Sequence, residues 1–239
     1  MKKKMLLNFS FLFSVKKLGI MLLFLFLLSC KKDIEPTSNF NYEYFPHEVG
    51  RYVIYDVDST WQDDISNVFN KTRYRVKESI TSIFTDLQGR PTMRIERYYK
   101  FYNDTISYDS ITWSQPKVWY ANLTATTAEK VENNVRYIKL IFPAKKEKTW
   151  NGNAYNTKPY RKYEITYIDN PEIVNNIHFD SVIQVTQFND INFILYQNEF
   201  EKFAKGVGLI YKKMDSLKWN GGRDTIGYTF TQKIVSYGK

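Results

Sequence analysis

The sequence predicts a mostly β protein, folded as an antiparallel sandwich, a barrel or a strongly curved sheet of about ten strands, with at most one or two short helices. From Phe45 onward, short runs rich in Tyr, Val, Ile, Thr and Phe alternate with clusters of Asn, Asp, Gly and Pro, which is typical of successive strands. Ile194–Lys205 is the one candidate for a helix, since no other stretch shows apolar residues at sustained helical spacing. Because helical patterns do not separate the strands, we expect antiparallel pairing.

Ten segments have the composition of strands and are bounded by turn residues. In chain order they are Arg51–Asp58, Thr72–Thr85, Pro91–Tyr102, Thr105–Trp113, Val118–Thr126, Val135–Phe142, Tyr160–Ile168, Ile177–Phe188, Val207–Met214 and Thr225–Tyr237. Aromatic residues make up 17% of the chain. This is enough apolar and aromatic material for one good core or two small ones.

The second and third of these segments pair in a register that the sequence specifies residue by residue. If the loop is Asp86–Gly89, Thr85 lies opposite Arg90 and an apolar face separates from a charged one. The pairs predicted on the apolar face are Tyr74–Phe101, Val76–Tyr99, Ile80–Ile95, Ser82–Met93 and Phe84–Pro91. Because a slip of one residue would mix the two faces, the segregation favours this register.

Glu78 and Arg97 are the exception on that apolar face, where they fall opposite each other. Buried charges are usually paired, so the pattern predicts an inward-facing ion pair. Two interpretations stay open. The pair fixes the strand register, or it is a polar spot on the wall of an internal cavity that orients a carboxylate, amide or hydroxyl group of a ligand.

The first 29 residues have the features of a secretory signal peptide. They carry five lysines and no acidic residue, and the apolar run Leu18–Leu28 precedes Ser29. A basic segment, a short apolar segment and a small residue before the cleavage point define such signals. The run has 11 residues, fewer than the roughly 20 that a helix needs to span a bilayer. We therefore expect segment 1–29 to be removed.

Cys30 is the predicted lipid anchor. The tetrad Leu27–Cys30 (LLSC) resembles the bacterial lipobox, whose cysteine is acylated and becomes the first residue after cleavage. An ordinary signal peptide with an incidental cysteine is the alternative. Cys30 is the only cysteine among 239 residues, so no internal disulfide can form, and acylation removes a reactive thiol. The resemblance implies a lipoprotein held on a membrane by acyl chains such as palmitate.

After cleavage, we expect residues 30–44 to form an acylated, flexible tether and residues 45–239 to form a single β-rich domain. The tether is polar, contains Pro36 and shows no periodicity. Removal of segment 1–29 leaves 210 residues with 29 basic and 25 acidic side chains, so the net charge falls from +9 to +4. The basic character belongs largely to the signal segment, and we do not expect nucleic-acid binding.

The chain has few residues of the kinds that metal binding and nucleophilic catalysis need. The histidines are His47 and His178, and the one cysteine is assigned to the anchor, so we expect neither zinc nor copper nor any other cofactor. No Gly-x-Ser-x-Gly motif is present. A carboxylate pair for glycoside hydrolysis stays open, because a β-scaffold can bring together any two of the 25 acidic residues.

Six Asp-Ser or Asp-Thr pairs are each followed by an aliphatic residue or threonine. Their hydroxyl residues are Ser59, Thr105, Ser110, Ser181, Ser216 and Thr225. The pattern resembles the acceptor sequence for periplasmic O-glycosylation in bacteria of the Bacteroidota type, which makes these residues candidate glycosylation sites. The alternative is turn chemistry, because Asp, Ser and Thr favour turns that lead into strands.

The lipobox, the polar tether and the tyrosine-rich β-domain together resemble uncharacterised outer-membrane lipoproteins of the Bacteroidota type. The tracts Tyr44–Val57 and Glu199–Lys212 contribute most to this resemblance. It implies a lipid-anchored location on the outer membrane, facing the periplasm or exposed at the cell surface. It transfers no catalytic residue.

We therefore expect a non-enzymatic ligand-binding or interaction module of the cell envelope. Its partners would be the membrane, through the lipid on Cys30, and either a lipid or glycan ligand or other envelope proteins. Two alternatives stay open. One is a glycan-directed hydrolase that uses a carboxylate pair, and the other is a structural subunit of an envelope complex.

Overall fold

The computed structural model describes residues 40–220 and 224–239, which form an almost entirely antiparallel β structure. The strands within these ranges are β1 (Tyr52–Asp63), β2 (Val68–Thr85), β3 (Pro91–Phe101), β4 (Lys117–Leu123), β5 (Thr127–Glu132), β6 (Val135–Ile141), β7 (Thr149–Asn151), β8 (Lys162–Val174), β9 (Ile177–Ile191), β10 (Leu195–Ala204), β11 (Gly208–Asn220) and β12 (Asp224–Gly238). Two 3₁₀ turns, Tyr42–Tyr44 and Tyr108–Ser110, are the helical elements of the described part.

All twelve strands belong to one sheet that nearly closes into a barrel. Each strand pairs with its neighbours in the chain, except that β6 does not pair with β7, and β1 pairs with β12. The two edge strands nevertheless meet. The backbone N–H of Ile138 donates to the carbonyl of Gly152 at 3.0 Å, and the indole N–H of Trp150 donates to the carbonyl of Ile138 at 2.9 Å. The predicted fold class is therefore confirmed, in its barrel-like form.

The segment that precedes β1 crosses one end of the barrel, which we call the capped end. The hydroxyl of Tyr42 donates to the carbonyl of Ala125 at 2.9 Å, and the N–H of Gly206 donates to the carbonyl of Glu43 at 2.8 Å. These contacts join the segment to the loops after β4 and β10. Residues 40–44, the last part of the predicted tether, are thus packed against the folded domain and held by hydrogen bonds.

Behind the capped end, apolar side chains pack in the barrel interior around a cavity of about 90 Å³. Tyr44 is fully buried, and its hydroxyl lies 2.8 Å from the carboxylate of Asp169. Tyr44 packs in a cluster that also contains Phe45, Met93, Ile95, Ala121, Leu140, Ile165, Ile183, Val185 and Phe203. Each large side chain that is buried in this way stabilises the fold by about 1.5–3 kcal/mol. The cluster draws on strands from around the barrel and therefore ties them together.

The hairpin of β2 and β3 has the predicted register over most of its length. Glu78 lies opposite Arg97, as predicted. The other confirmed pairs of the apolar face are Tyr74–Phe101, Val76–Tyr99 and Ile80–Ile95. The inward-facing position of the predicted ion pair therefore follows from the alternation of the strand.

A β-bulge between Ile80 and Ser82 changes the register nearer the loop. The predicted pairs Ser82–Met93, Phe84–Pro91 and Thr85–Arg90 are wrong, and the observed pairs are Ile83–Met93, Phe84–Thr92 and Thr85–Pro91. One extra residue on β2 shifts every later pair by one. Both Ile83 and Phe84 are exposed, so burial does not enforce the alternation there.

The predicted strand Thr105–Trp113 is wrong, because this stretch belongs to the loop between β3 and β4. Cation–ring contacts hold the loop on the outer face of the hairpin. The guanidinium carbon of Arg75 lies 4.5 Å from the ring centre of Tyr108, and the Lys100 ammonium lies 4.7 Å from the ring centre of Trp113. The aromatic residues of this segment thus contact cationic side chains of the hairpin and do not form a strand.

The predicted helix Ile194–Lys205 is also wrong, because Leu195–Ala204 is the strand β10. Its buried residues Glu199, Glu201 and Phe203 alternate with half-buried ones, and hydrogen bonds to β9 and β11 outweigh the local helix propensity. The sequence pattern also fails to predict the short strands β5 and β7. The β5 sequence, TAEKVE, consists largely of residues that favour helices.

Candidate ligand-binding site

Seven charged residues meet inside the barrel, on the side of the apolar core away from the capped end. This charged layer consists of Glu78, Arg97, Lys130, Glu132, Lys139, Glu201 and Lys212. They come from β2, β3, β5, β6, β10 and β11, so the edge strand β6 and strands from the middle of the sheet contribute. Four bases face three acids, which leaves one positive charge in excess.

The predicted pair Glu78–Arg97 is one half of the charged layer. Arg97 Nε lies 2.8 Å from Glu78 Oε1, and Lys130 Nζ donates to Glu78 Oε2 at 2.7 Å. Burial by itself would raise the pKa of Glu78, but Lys130 and Arg97 outweigh it and hold that pKa below its ordinary value. The carboxylate is therefore ionised at neutral pH, and both of its oxygens have a cationic partner.

Aromatic side chains fix the orientation of Arg97. Its guanidinium carbon lies 3.6 Å from the ring centre of Trp119, and Nη1 donates to the hydroxyl of Tyr99 at 2.8 Å. The indole N–H of Trp119 donates in turn to Asn133 at 3.3 Å. A cation stacked on tryptophan is attracted to the ring more strongly when it is removed from water. Arg97 thus keeps a defined position through contacts that do not involve Glu78.

The other half of the charged layer is a pair of carboxylates bridged by two lysines. Lys139 Nζ lies 2.9 Å from Glu201 and 3.1 Å from Glu132, and Lys212 Nζ lies 3.1 Å and 3.8 Å from the same two carboxylates. Burial would raise the pKa of each carboxyl group and lower that of Lys139. The opposite charges prevail, so the pKa values of Glu132 and Glu201 are lowered and that of Lys139 is raised.

The charged layer is the floor of a cavity of about 530 Å³, which we call the aromatic chamber. Its walls carry the rings of Tyr74, Tyr99, Phe101, Trp119, Tyr228 and Phe230. It reaches the end of the barrel opposite the capped end, the open end, where Phe101 is 60% exposed. The volume falls within the roughly 300–1,000 Å³ of small-molecule sites.

A second cavity of about 280 Å³ lies beside the aromatic chamber. The two share a wall made by Glu132, Lys212, Met214 and Tyr228. We call the second cavity the polar chamber, because most of its other lining residues are polar or charged. The interior on the open side of the charged layer is therefore divided into an aromatic part and a polar part.

Of the six predicted glycosylation residues, Thr105 and Ser110 are exposed, and both lie in the loop between β3 and β4. The hydroxyl and the backbone N–H of Thr105 both donate to the side-chain oxygen of Asn103, at 2.7 and 2.8 Å. Thr105 therefore has the local hydrogen bonds of a turn, as the alternative interpretation expects.

The other four hydroxyl residues are half-buried in the sheet. Ser59 lines the aromatic chamber, and the hydroxyl of Ser181 donates to Asp169 at 2.7 Å. Ser216 and Thr225 lie within β11 and β12. The six residues therefore lie on four strands and one loop and form no common site.

Cys30, the signal segment 1–29 and most of the tether lie outside the described residues, so the lipid anchor stays a prediction. Within residues 40–220 and 224–239, no helix is long and apolar enough to cross a bilayer. The same ranges contain no group of three or more His, Cys, Asp or Glu side chains that could hold a metal ion.

Five members of the charged layer do not follow from the hairpin register. They are Lys130, Glu132, Lys139, Glu201 and Lys212. The sequence nevertheless contains a signal for them. Each charged residue lies two positions from a small or apolar residue or from another such charge, as in Ala128-x-Lys130-x-Glu132. Such a charge faces the same side as the apolar residue, which places it inside the barrel.

The chain matches no protein-family model, no curated protein and no solved structure. The fold, the charged layer and the two chambers are therefore the observations from which its function has to be argued.

Proposed function

We propose that this protein is a non-enzymatic, ligand-binding lipoprotein of the bacterial cell envelope, anchored by acyl chains on Cys30. Its ligand is an amphipathic molecule, a lipid or a glycan derivative, that lies in the aromatic chamber. The observation that carries the proposal is the chamber itself, a cavity of about 530 Å³ with ring-lined walls and a floor of ion pairs.

The walls of the aromatic chamber suit an apolar chain or the face of a sugar ring. The ring centres of Tyr74 and Tyr99 lie 5.8 Å apart, and the rings of Tyr99 and Phe101 are stacked at 6.4 Å. Rings in such a row present a continuous apolar surface while the tyrosine hydroxyls stay available for hydrogen bonds. This combination supports a ligand with both apolar and polar parts.

The charges around the aromatic chamber favour a ligand that carries a negative group. The charged residues of its lining are Arg97, Lys117, Lys130, Lys212, Glu78 and Glu132. Cations exceed acids by two, and a concave wall of one prevailing sign attracts a ligand of the opposite sign. An acidic amphiphile fits this chamber better than a neutral or basic one.

The proposed location rests on the sequence. The lipobox-like tetrad ending at Cys30 and the resemblance to outer-membrane lipoproteins support attachment to that membrane, facing the periplasm or the surface. The described chain begins at the capped end, where the carbonyl of Phe40 accepts a hydrogen bond from the N–H of Ala144 at 3.5 Å.

The rival function, hydrolysis of glycans by two carboxylates, receives no support from the charged layer. Glu132 and Glu201 do come together, but lysines bridge them and both pKa values are lowered. A glycosidase needs one carboxyl group that stays protonated. Every carboxyl group of the described residues with a perturbed pKa has a lowered one.

Mass spectrometry of the full-length protein, extracted gently from membranes in detergent, tests the proposal. Denatured protein should carry the mass of acyl groups on Cys30, and native protein should carry an additional, non-covalent acidic amphiphile. A Ser59→Trp variant should lose this ligand, because residue 59 faces the aromatic chamber and the indole fills part of it.

The matched control is Thr60→Trp, which places the same indole on the opposite face of β1. It should keep the ligand. If the wild-type protein and both variants carry no ligand, or all three carry the same amount, the proposed function is wrong. A stable partner protein bound in place of a ligand would favour the structural-subunit alternative.

A further inference from the structure

We propose that the polar chamber binds an anionic group, a carboxylate or a phosphate, through Gln187 and Arg161. This inference rests on the proposed function and refines it. The two chambers adjoin and have four lining residues in common, and the anionic group is the polar end of the ligand proposed above. The polar chamber thereby sets the chemical class of the ligand's polar end.

The first observation is the side chain of Gln187. Gln187 is 5% exposed and lines the polar chamber, and its Nε2 has no hydrogen-bond partner among the described residues. Buried side-chain amides in folded proteins are almost always hydrogen-bonded. The missing partner is an acceptor, and the polar chamber is the cavity that Gln187 lines, so we place the acceptor there.

The second observation is the way in which Arg161 is held beside Gln187. Its Nη2 lies 2.8 Å from Glu199 Oε1, and its Nε donates to the backbone carbonyl of Gln187 at 3.2 Å. The guanidinium carbon also lies 4.1 Å from the ring centre of Phe188. A guanidinium has five N–H donors, so these contacts orient Arg161 and leave donors for a ligand oxygen in the chamber it lines.

The third observation is the charge of the lining. The charged residues of the polar chamber are Lys139, Lys158, Arg161, Lys212, Glu132 and Glu199. When Glu201, which pairs with Lys139 and Lys212, is included, cations still exceed acids by one. Lys158 is exposed, and its Nζ donates to the hydroxyl of Tyr137 at 2.6 Å. A positive group at the outer side of the chamber attracts an anion toward it. A neutral hydroxyl group of a ligand could accept the hydrogen bond from Gln187 Nε2, but it would not neutralise the excess positive charge of the lining.

The experiment uses the full-length protein, extracted in a neutral detergent and dialysed, with isothermal titration calorimetry of three sugars. Glucuronate carries a carboxylate, glucose 6-phosphate carries a phosphate, and glucose carries neither. We expect at least one of the two anions to bind at least about tenfold more tightly than glucose, because a hydrogen bond to a charged acceptor is stronger than a neutral one. Which anion binds more tightly identifies the group.

Gln187→Leu should weaken binding of that anion by about tenfold or more, with an unchanged melting temperature. The matched control is Gln184→Leu, which makes the same change on the same strand but on the opposite face, and which should bind like the wild type. A third variant, Gln187→Glu, keeps the size of the side chain and should abolish binding, because it adds a negative charge to the chamber.

Equal affinity for glucose and both anions, or equal behaviour of the Gln187 and Gln184 variants, would overturn the inference. That outcome leaves the proposed function standing if Ser59→Trp still displaces a co-purified amphiphile. Conversely, anion binding that depends on Gln187 in a protein that never carries an amphiphile supports the polar chamber and contradicts the proposed function.

Discussion

The capped half and the open half of the barrel share many of their strands, yet the cavity in the capped half has only about 90 Å³, whereas the two chambers of the open half have about 530 and 280 Å³. Along β3, the inward residues are Met93 and Ile95 in the capped half, then Arg97, Tyr99 and Phe101 toward the open end. The alternation of the strand is the same throughout. On β3 the chemistry of the inward side chains changes at the charged layer. On β1 and β2 the inward residues beyond Glu78, which are Tyr55, Val57 and Val76, stay apolar and buried.

The strands β9 and β10 show the same change at the same height. Ile183 on β9 lies in the apolar cluster while Gln187 lines the polar chamber, and on β10 Phe203 is followed toward the open end by Glu201 and Glu199. The apolar cluster therefore ends at the charged layer, and the two chambers lie on its other side.

The sharpest test of this boundary is Glu201→Gln, for which we expect the largest loss of stability. The free energy of unfolding should fall by about 3–5 kcal/mol, because Lys139 and Lys212 lose a carboxylate inside the protein. Denaturation with guanidinium chloride, followed by tryptophan fluorescence, measures the change. Glu147→Gln at an exposed position is the control and should leave the midpoint unchanged.

In the capped half, Ile183→Ala should lower the free energy of unfolding by about 3 kcal/mol, because Ile183 is completely buried and the smaller side chain leaves a cavity. The same denaturation experiment measures it. If Ile183→Ala costs less than about 1 kcal/mol, the capped half is not close-packed and the contrast between the two halves fails.

Glu78→Gln should lower the free energy of unfolding by about 2 kcal/mol at pH 7. This loss is smaller than the loss usually caused by removing one partner of a buried ion pair. The reason is that Arg97 keeps its contacts with Trp119 and Tyr99 when the carboxylate is removed. A loss under about 0.5 kcal/mol would contradict the inward-facing ion pair.

The effect of Glu78→Gln should also depend on pH. The pKa of Glu78 is lower in the folded than in the unfolded protein, so its stabilisation is complete above the unfolded value of about 4.3 and is lost as the pH falls through the folded value. The difference in stability between wild type and variant should therefore shrink below about pH 4. If the difference in stability between wild type and variant grows as the pH falls, the pKa of Glu78 in the folded protein is raised and not lowered.

At the open end, Phe101→Ala should change the free energy of unfolding by less than about 0.5 kcal/mol, because the ring is mostly exposed. It should nevertheless reduce the amount of co-purified ligand, since the ring lines the aromatic chamber. If Phe101→Ala loses much stability but keeps all of its ligand, the open end contributes to folding and not to ligand binding, which contradicts the role assigned to it.

The hairpin of β2 and β3 shows what a sequence pattern can predict. The Glu78–Arg97 register follows from strict alternation in segments where one face is buried. The bulge after Ile80 cannot be predicted in this way, because Ile83 and Phe84 are both exposed and no hydrophobic contrast remains to report the slip. The pattern is informative only where burial enforces it.

The rest of the site depends on contacts between segments that are distant in the chain. Lys139 and Glu201 are separated by 62 positions, and a single sequence does not show that they meet. In β10, apolar residues flank Glu199 and Glu201 at spacings that fit both a helix and a strand, and only pairing with β9 and β11 decides between them. The unpartnered amide of Gln187 has no sequence signal at all.

The pairing of β1 with β12 has a consequence for how the chain reaches this structure. Tyr52 lies opposite Gly238, so the ladder that joins the two six-strand halves connects opposite ends of the domain. Loop-closure entropy opposes such a contact until the intervening hairpins have formed. Folds dominated by distant pairings acquire their structure slowly. We therefore expect the interior that holds both chambers to be completed late, when β12 docks beside β1.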